Sequence, residues 1–515
     1  MLGASNKRIA KNTVFLYVRT LLVMLVALYT SRLVLHVLGE TDLGIYNLVG
    51  GVVTMMAFLQ SAQTKATSRF ITFDLGSSPT LASQKKIFSL CMTMHIILAL
   101  IIVFIAETVG LWMINYWTEI PSERMFAANV VYQFSVLTFI IHFLRVPFDS
   151  VIIAHENMSI YAYMSIIEVI LQLGVVLIVS NLFCDSLILY GSLVMSVALI
   201  LFLLYAVYVR QKYRAYRFSW LWSKEKSLEI MKFSGWALFG SSANIATQQG
   251  SSLLFNNFVG LVANTALGFA NQVNSAVTRF VSSFTTAFNP QIVKLYAQGD
   301  YESLHLLMTR SAKFSFVLCY LFALPLIVNM DFVLNLWLGT VPMYTKEFCQ
   351  LILICSLIDV TTGIYNTSVT ATGVIKNYQI CIALSFILDL ILAATLLILR
   401  FHPALVFGSR IMTRGIVNMV IGMYFGNHLV KYFWKTFLND VIFPIILVII
   451  ITIPVVLLFS YISEGWIQLV VTTLISVLLL LFLTFYIIMT KNERYISLAF
   501  LKSKLSFSTK LSINK

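Results

Sequence analysis

Residues 441–462 read VIFPIILVIIITIPVVLLFSYI, twenty-two positions without one charged side chain. A helix rises about 1.5 Å per residue, so this stretch alone covers the roughly 30 Å hydrocarbon core of a bilayer. Working outward, comparable runs fill the chain. The spacing predicts spans near 12–38, 43–66, 87–117, 125–153, 160–181, 187–209, 233–258, 262–289, 311–337, 344–372, 378–399, 404–427, 441–462 and 467–489. The seventh and eighth are rich in Ser, Thr, Asn and Gln, so a count of twelve would arise there. Over 515 residues, 59% are apolar and only 11% charged, against about a quarter charged in soluble proteins. No segment is left for a soluble catalytic domain. The expected class is an all-α integral membrane protein of about fourteen transmembrane helices.

The formal charge of +14 would elsewhere suggest nucleic acid, but its placement excludes that reading. With the N-terminus inside, 25 of the 35 Lys and Arg fall on inner segments. Only Arg124, Lys346 and Arg400 fall outside, and the other seven lie within spans. This asymmetry places both termini in the cytoplasm. The basic tail should also attract anionic headgroups. Lys7, Arg8 and Lys11 precede an apolar stretch without a cleavage site, so the first span is expected to be retained.

The chain divides at its longest inner linker. Residues 1–209 form an N-lobe of six spans, 210–232 a basic linker, 233–427 a C-lobe of six, 428–489 two further spans and 490–515 a basic tail. Leu43-Gly44-Ile45-Tyr46-Asn47 is echoed by Leu267-Gly268-Phe269-Ala270-Asn271, and the carboxylate of Glu168 in the fifth span by Asp389 in the eleventh. Six spans separate the copies, so the repeat is parallel. Two pseudo-symmetric six-helix bundles around a central cavity, plus two C-terminal helices, suit alternating access.

Charge within a span costs about 2.5–3.5 kcal/mol at mid-bilayer, so such residues need partners or water. Arg19, Arg145 and Arg279 lie at similar depth, while Arg410 and Arg414 share a helix face. One reading is a cationic cavity, because guanidinium offers a planar fork to phosphate oxygens. The other is snorkelling, with Arg145 pairing to Asp149 four residues on. In the eighth span Asn271, Ser275, Thr278, Ser282, Thr285 and Asn289 make a polar stripe beside Arg279. Ser241, Asn244, Gln248, Ser251 and Ser252 repeat it in the seventh. They predict a wet, sugar-binding wall, with interhelical hydrogen bonding as the alternative. Glu168, Asp359 and Asp389 are the buried acids. They suit proton or sodium coupling, or else balance the arginines. Gly50-Gly51 reads as a helix-contact pair.

Enzyme chemistry finds no motif. The seven His are scattered, no phosphate-binding glycine loop appears, and the six Cys have neither CxxC spacing nor a paired loop. Neither a metal site, a disulfide nor a cofactor is expected.

Lys11-Asn12-Thr13, Ser31-Arg32-Leu33 to Leu38-Gly39, Leu43-Gly44-Ile45-Tyr46-Asn47 and Ala66-Thr67-Ser68-Arg69-Phe70 resemble the opening of Wzx-type polysaccharide flippases of the multidrug/oligosaccharidyl-lipid/polysaccharide (MOP) exporter superfamily. The resemblance implies a multi-pass protein of the bacterial inner membrane that moves an undecaprenyl-pyrophosphate-linked oligosaccharide to the outer leaflet. That step serves O-antigen (lipopolysaccharide), capsule or exopolysaccharide synthesis, alongside polysaccharide-assembly proteins and with ion-gradient coupling in some members. A cation-coupled multidrug exporter of the same superfamily is the first alternative, and would more naturally carry an acidic or aromatic cavity. A polysaccharide polymerase is the second; it would need a large outer loop, and none is visible.

Overall fold

The computed structural model describes residues 2–54, 56–77, 80–116, 120–181, 185–460, 465–491 and 493–495. Most of the expected basic tail, and Cys184, lie outside these. The described chain is all-helical, without a strand. Helix closes every backbone hydrogen bond within its own segment, which is what a chain this apolar requires in lipid. The helices are α1 (Phe15–Gly39), α2 (Thr41–Val53 and Ala57–Gly76, bent by 51°), α3 (Leu81–Tyr116), α4 (Ser122–Ala154), α5 (Met158–Val179) and α6 (Ser186–Lys212). They continue as α7 (Lys224–Phe258), α8 (Leu261–Gln298), α9 (Tyr301–Val328), α10 (Thr345–Thr372), α11 (Lys376–Ile398), α12 (405–430), α13 (Trp434–Ser460) and α14 (Gly465–Ile488).

Ten of these are long and apolar enough to cross a membrane by themselves, and the bent α2 makes an eleventh. The remaining three, α7, α8 and α12, carry most of the polar residues singled out from sequence. Together they give fourteen segments.

Helix ends depart from the hydropathy edges mostly by extension, although α9 stops at Val328 rather than 337 and a separate short helix, Met330–Leu338, follows it. α7 begins at Lys224 rather than 233, α8 runs to Gln298 rather than 289, and α9 begins at Tyr301 rather than 311. At 35 and 38 residues, α7 and α8 reach roughly 50–57 Å, well beyond the apolar slab. Hydropathy detects only the greasy part of such a helix. The connection between α6 and α7 therefore shrinks to 213–223.

Local chemistry sets the breaks. Gly39, at φ 74°, separates α1 from α2, a conformation that costs an L-residue a steric clash. Thr80 and Ser83 exchange side-chain-to-amide bonds of 3.1 and 3.2 Å at the start of α3. Asp185 accepts from the Leu187 and Ile188 amides to open α6.

By density of contacts the chain separates into two units. One holds Met1–Ala246, Ser282–Leu304 and Thr367–Leu384, and the other Thr247–Val281, His305–Asn366 and Ser385–Lys515. In the first unit, Val49, Val131, Tyr132 and Phe143 are fully buried in one cluster, and Phe88, Val151, Ile152 and Val209 in another. In the second, Phe255, Phe348 and Phe407 meet at ring distances of 5.0–6.3 Å. Lipid is as apolar as leucine, so close packing has to hold such helices together. Gly422 and Gly426 show how: a β-carbon on either would lie 2.7–2.8 Å from the Tyr365 ring. Gly250 is another contact glycine, 2.9 Å from Leu390 by the same measure. At Gly50 and Gly51 an added β-carbon would meet nothing within 4 Å among the described residues, which corrects the reading of that pair.

Candidate functional site

In the first unit the polar residues within spans gather on α1, α4 and α5. The Arg145 guanidinium on α4 lies 3.4 Å from Asp149 one turn on and 3.4 Å from Glu168 on α5. Its carbon sits 5.2 Å from the Tyr205 ring, and that of Arg19 sits 5.2 Å from the Tyr161 ring. Tyr161 feels the charges of Arg19, Arg145, Asp149 and Glu168 together, which marks them as one neighbourhood. It contains two cations and two carboxylates.

In the second unit a matching set forms on α10, α11 and α12. Asp389, 1% exposed on α11, lies 3.5 Å from Arg410 and 3.7 Å from Arg414. Arg414 reaches Asp359 on α10 at 3.9 Å. Arg410 donates to Ser251 Oγ at 3.0 Å and stands over Phe407. Residues 411–417 of α12 are wound as a π-helix, a wide turn often found where function interrupts a regular helix. Two cations again face two carboxylates.

Arg145 takes the pairing with Asp149 that was its alternative reading, and Arg410 and Arg414 are likewise held by acids of their own unit, because a buried guanidinium without a counter-charge would be too costly. The pairing remains loose. Separations of 3.4–3.9 Å exceed the 2.7–2.9 Å of a charge-assisted hydrogen bond, and both Asp389 carboxylate oxygens lack a hydrogen-bond partner.

α8 carries an exposed polar surface. Asn271, Ser275 and Arg279 are exposed along one face, while Ala266, Ala270, Val277 and Val281 pack on the opposite one. Thr278 lies between the two and bonds back to the Asn274 carbonyl at 2.8 Å. On α7 the predicted stripe divides. Gln248 is exposed, Asn244 holds a buried, unpartnered side-chain oxygen, and Ser251 turns inward to Arg410.

Sequence reading missed the contacts of three further groups. Arg124, at the start of α4, bonds both Asp42 and Asp185, tying together three connections of the first unit. Partial burial would raise the Asp185 carboxyl, but the hydrogen bonds of Arg124 and the α6 amides outweigh it and hold it below the usual range. Toward the other end, Glu156 between α4 and α5 is buried and bonds Lys294 Nζ at 2.7 Å and Gln291 Nε2 at 3.1 Å, both on α8. Its carbonyl accepts from Asn12 at 3.0 Å. Arg69 of α2 stacks on Phe70, Phe73 and Phe233, donates to the Ala371 carbonyl at 3.3 Å and approaches Glu229 at 3.9 Å. The signal for Glu156 was available: an acid in a three-residue turn that counts no Lys or Arg.

These features define a multi-pass, all-helical membrane protein with a charge-balanced ionic cluster in each unit and a wettable helix. Over residues 9–296 the sequence matches the family described as "Polysaccharide biosynthesis protein", and the chain belongs to that family. No curated protein matches it. Its fold is that of the MATE transporters. A crystal structure of MATE in the straight conformation is similar with a TM-score of 0.72 at 11% identity, over 83% of this chain and 97% of that one. The outward-facing conformation of a multidrug resistance MATE family transporter of the MOP superfamily gives 0.69 at 13%, over 84% and 97%. A MOP superfamily transporter from Pyrococcus furiosus, titled for a binding pocket of reverse polarity that suggests a different function, gives 0.71 at 11%, over 83% and 97%.

Proposed function

We propose that this protein is a flippase that carries an undecaprenyl-pyrophosphate-linked oligosaccharide from the inner to the outer leaflet of a bacterial inner membrane, with both termini cytoplasmic. The observation that carries this reading is the exposed face of α8, where Asn271, Ser275 and Arg279 stand on a helix packed through its apolar side. Lipid would not tolerate that face, so water or a polar cargo covers it. Amide and hydroxyl groups suit sugar hydroxyls, and a guanidinium suits a diphosphate. The family's role in polysaccharide biosynthesis and the transporter fold agree with such a cargo.

In this mechanism the prenyl chain stays in lipid while the diphosphate and first sugars travel past α8. Gradient coupling falls to Glu168, Asp359 and Asp389. Their loose ion pairs can exchange an arginine for a proton or sodium ion, so that uptake of a cation frees a guanidinium for the diphosphate.

The test is Arg279→Ala in protein that still inserts and accumulates. Outward appearance of labelled lipid-linked oligosaccharide should fall at least about tenfold, the worth of one charge-assisted contact near 1.5–3 kcal/mol. Translocation at the wild-type rate removes Arg279 from the path. Export of an organic cation, with no effect on the lipid-linked glycan, would instead make the protein a drug exporter.

A further inference from the structure

The connection 213–223 between α6 and α7 has no regular structure, yet it is pinned along its length. Tyr216 is buried, with its ring 5.7 Å from Phe88 and 5.6 Å from His155. His155 stacks on Tyr213 at 4.1 Å, and its Nε2 lies 3.2 Å from Tyr216 Oη. Asn157 donates to Tyr208 Oη at 2.7 Å, and the Ser219 amide to Ser89 Oγ at 3.2 Å. An aromatic and hydrogen-bonded base thus fixes the backbone from which Arg214 and Arg217 project.

Those two residues and Arg210 line a cavity of 410 Å³, completed by Val207 and Gln211. All three arginines are exposed, and none enters an ion pair among the described residues. Lys212, by contrast, is engaged with Tyr208 Oη at 2.8 Å. Immediately beyond Arg217, Phe218, Trp220 and Trp222 are exposed. Exposed tryptophans beside the end of a spanning helix belong at the headgroup level of a bilayer.

We infer that this cavity is a binding site for the phosphate of a net-anionic phospholipid headgroup, gripped by Arg210, Arg214 and Arg217 while Trp220 and Trp222 hold the strap in the interface. Two plainer roles use the same charges: a topology signal, and neutralisation of the negative end of α6. Both need charge alone. Neither accounts for three unpaired guanidiniums around one cavity, Arg214 and Arg217 on a braced loop and Arg210 on the last turn of α6, an arrangement suited to a phosphate. The inference stands apart from the transport reading, because it concerns residues outside the proposed cargo path.

The experiment uses the full chain in detergent. It measures binding of short-chain phosphatidylglycerol and phosphatidylcholine to wild type, to Arg214→Gln/Arg217→Gln and to Lys85→Gln/Lys86→Gln, with elution profile and thermal midpoint as checks of folding. Wild type should prefer phosphatidylglycerol. The arginine double variant should lose about fivefold for each charge removed, at about 1 kcal/mol per basic residue at the surface, and the lysine control should keep the preference. An equal loss in the lysine control would show diffuse attraction, and an unchanged preference in the arginine variant an idle cavity; either overturns the proposal. Inorganic phosphate titrated against wild type gives a reading independent of any variant. If it binds as tightly as phosphatidylglycerol, the site takes a soluble anion and the lipid assignment fails.

Discussion

Asp389 shows what a single residue's surroundings decide. At 1% exposure it faces Arg410 and Arg414, and removing one member of a buried pair leaves an uncompensated charge at a cost of about 3–5 kcal/mol. Asp389→Asn should therefore lower the thermal midpoint sharply in detergent. Asp359→Asn, whose side chain is 43% exposed and 3.9 Å from its arginine, should change it little. The double variant Asp389→Leu/Arg410→Leu should recover much of the stability, since an apolar replacement of a whole buried pair is close to neutral. Full gradient-dependent transport in that stable double variant would leave the pair as charge balance only. Sequence showed that Asp389 and Glu168 recur in corresponding helices, and each does take an arginine of its own unit. Which arginine was not legible: Glu168 pairs with α4 and Asp389 with α12, a choice made by packing across helices. Asn12 and Arg69, two of the residues that carried the family resemblance, turn out to tie helix ends together.

At the scale of the element, α8 is where pattern in the sequence translated most directly into structure. A period near 3.6 in Asn271, Ser275 and Arg279 became one exposed face, with Ala270, Val277 and Val281 on the other. Cysteine introduced at Asn271, Ser275 or Arg279 should react with a membrane-impermeant maleimide. Cysteine at Ala270 or Val277 should resist it, and the five described native cysteines, four of them buried, give a low background. Equal labelling of both faces would dissolve the distinction on which the wet wall rests. The α7 stripe fared differently, because periodicity assigns a residue to a face without saying what that face meets. Ser251 meets a guanidinium, and Gln248 is exposed. Helix ends were hidden for a related reason, since polar turns projecting past the bilayer carry no hydropathy signal.

For the molecule as a transporter, the telling contacts are those by which the far end of α8 is fastened within the first unit. Gly76 at the end of α2 is so close to α8 that an added β-carbon would lie 2.8 Å from Ala297 Cβ. Glu156 bonds Lys294 and Gln291 on the same turns, and Thr20 of α1 meets Ser283 at 2.7 Å. Glu156 does this from a left-handed backbone, φ 57°, a conformation that costs a non-glycine residue about 1–2 kcal/mol. Its carboxylate is what offsets that cost. If cargo moves by alternating access as proposed above, cargo entering at this end has to part these contacts, which would make them a latch. Glu156→Gly relieves the backbone while deleting the carboxylate, and should leave the fold intact but shift the population toward the unlatched state. Access of an impermeant thiol reagent to a cysteine placed at Ser283 reads that shift. Thr20→Cys/Ser283→Cys puts two thiols where hydroxyls meet at 2.7 Å, within reach of a disulfide, so oxidation fixes this end shut. Translocation should stop on oxidation and return on reduction. Cross-linked protein that still moves lipid-linked oligosaccharide at the uncrosslinked rate would mean that cargo never passes between α8 and α1, and the latch would be a structural brace instead.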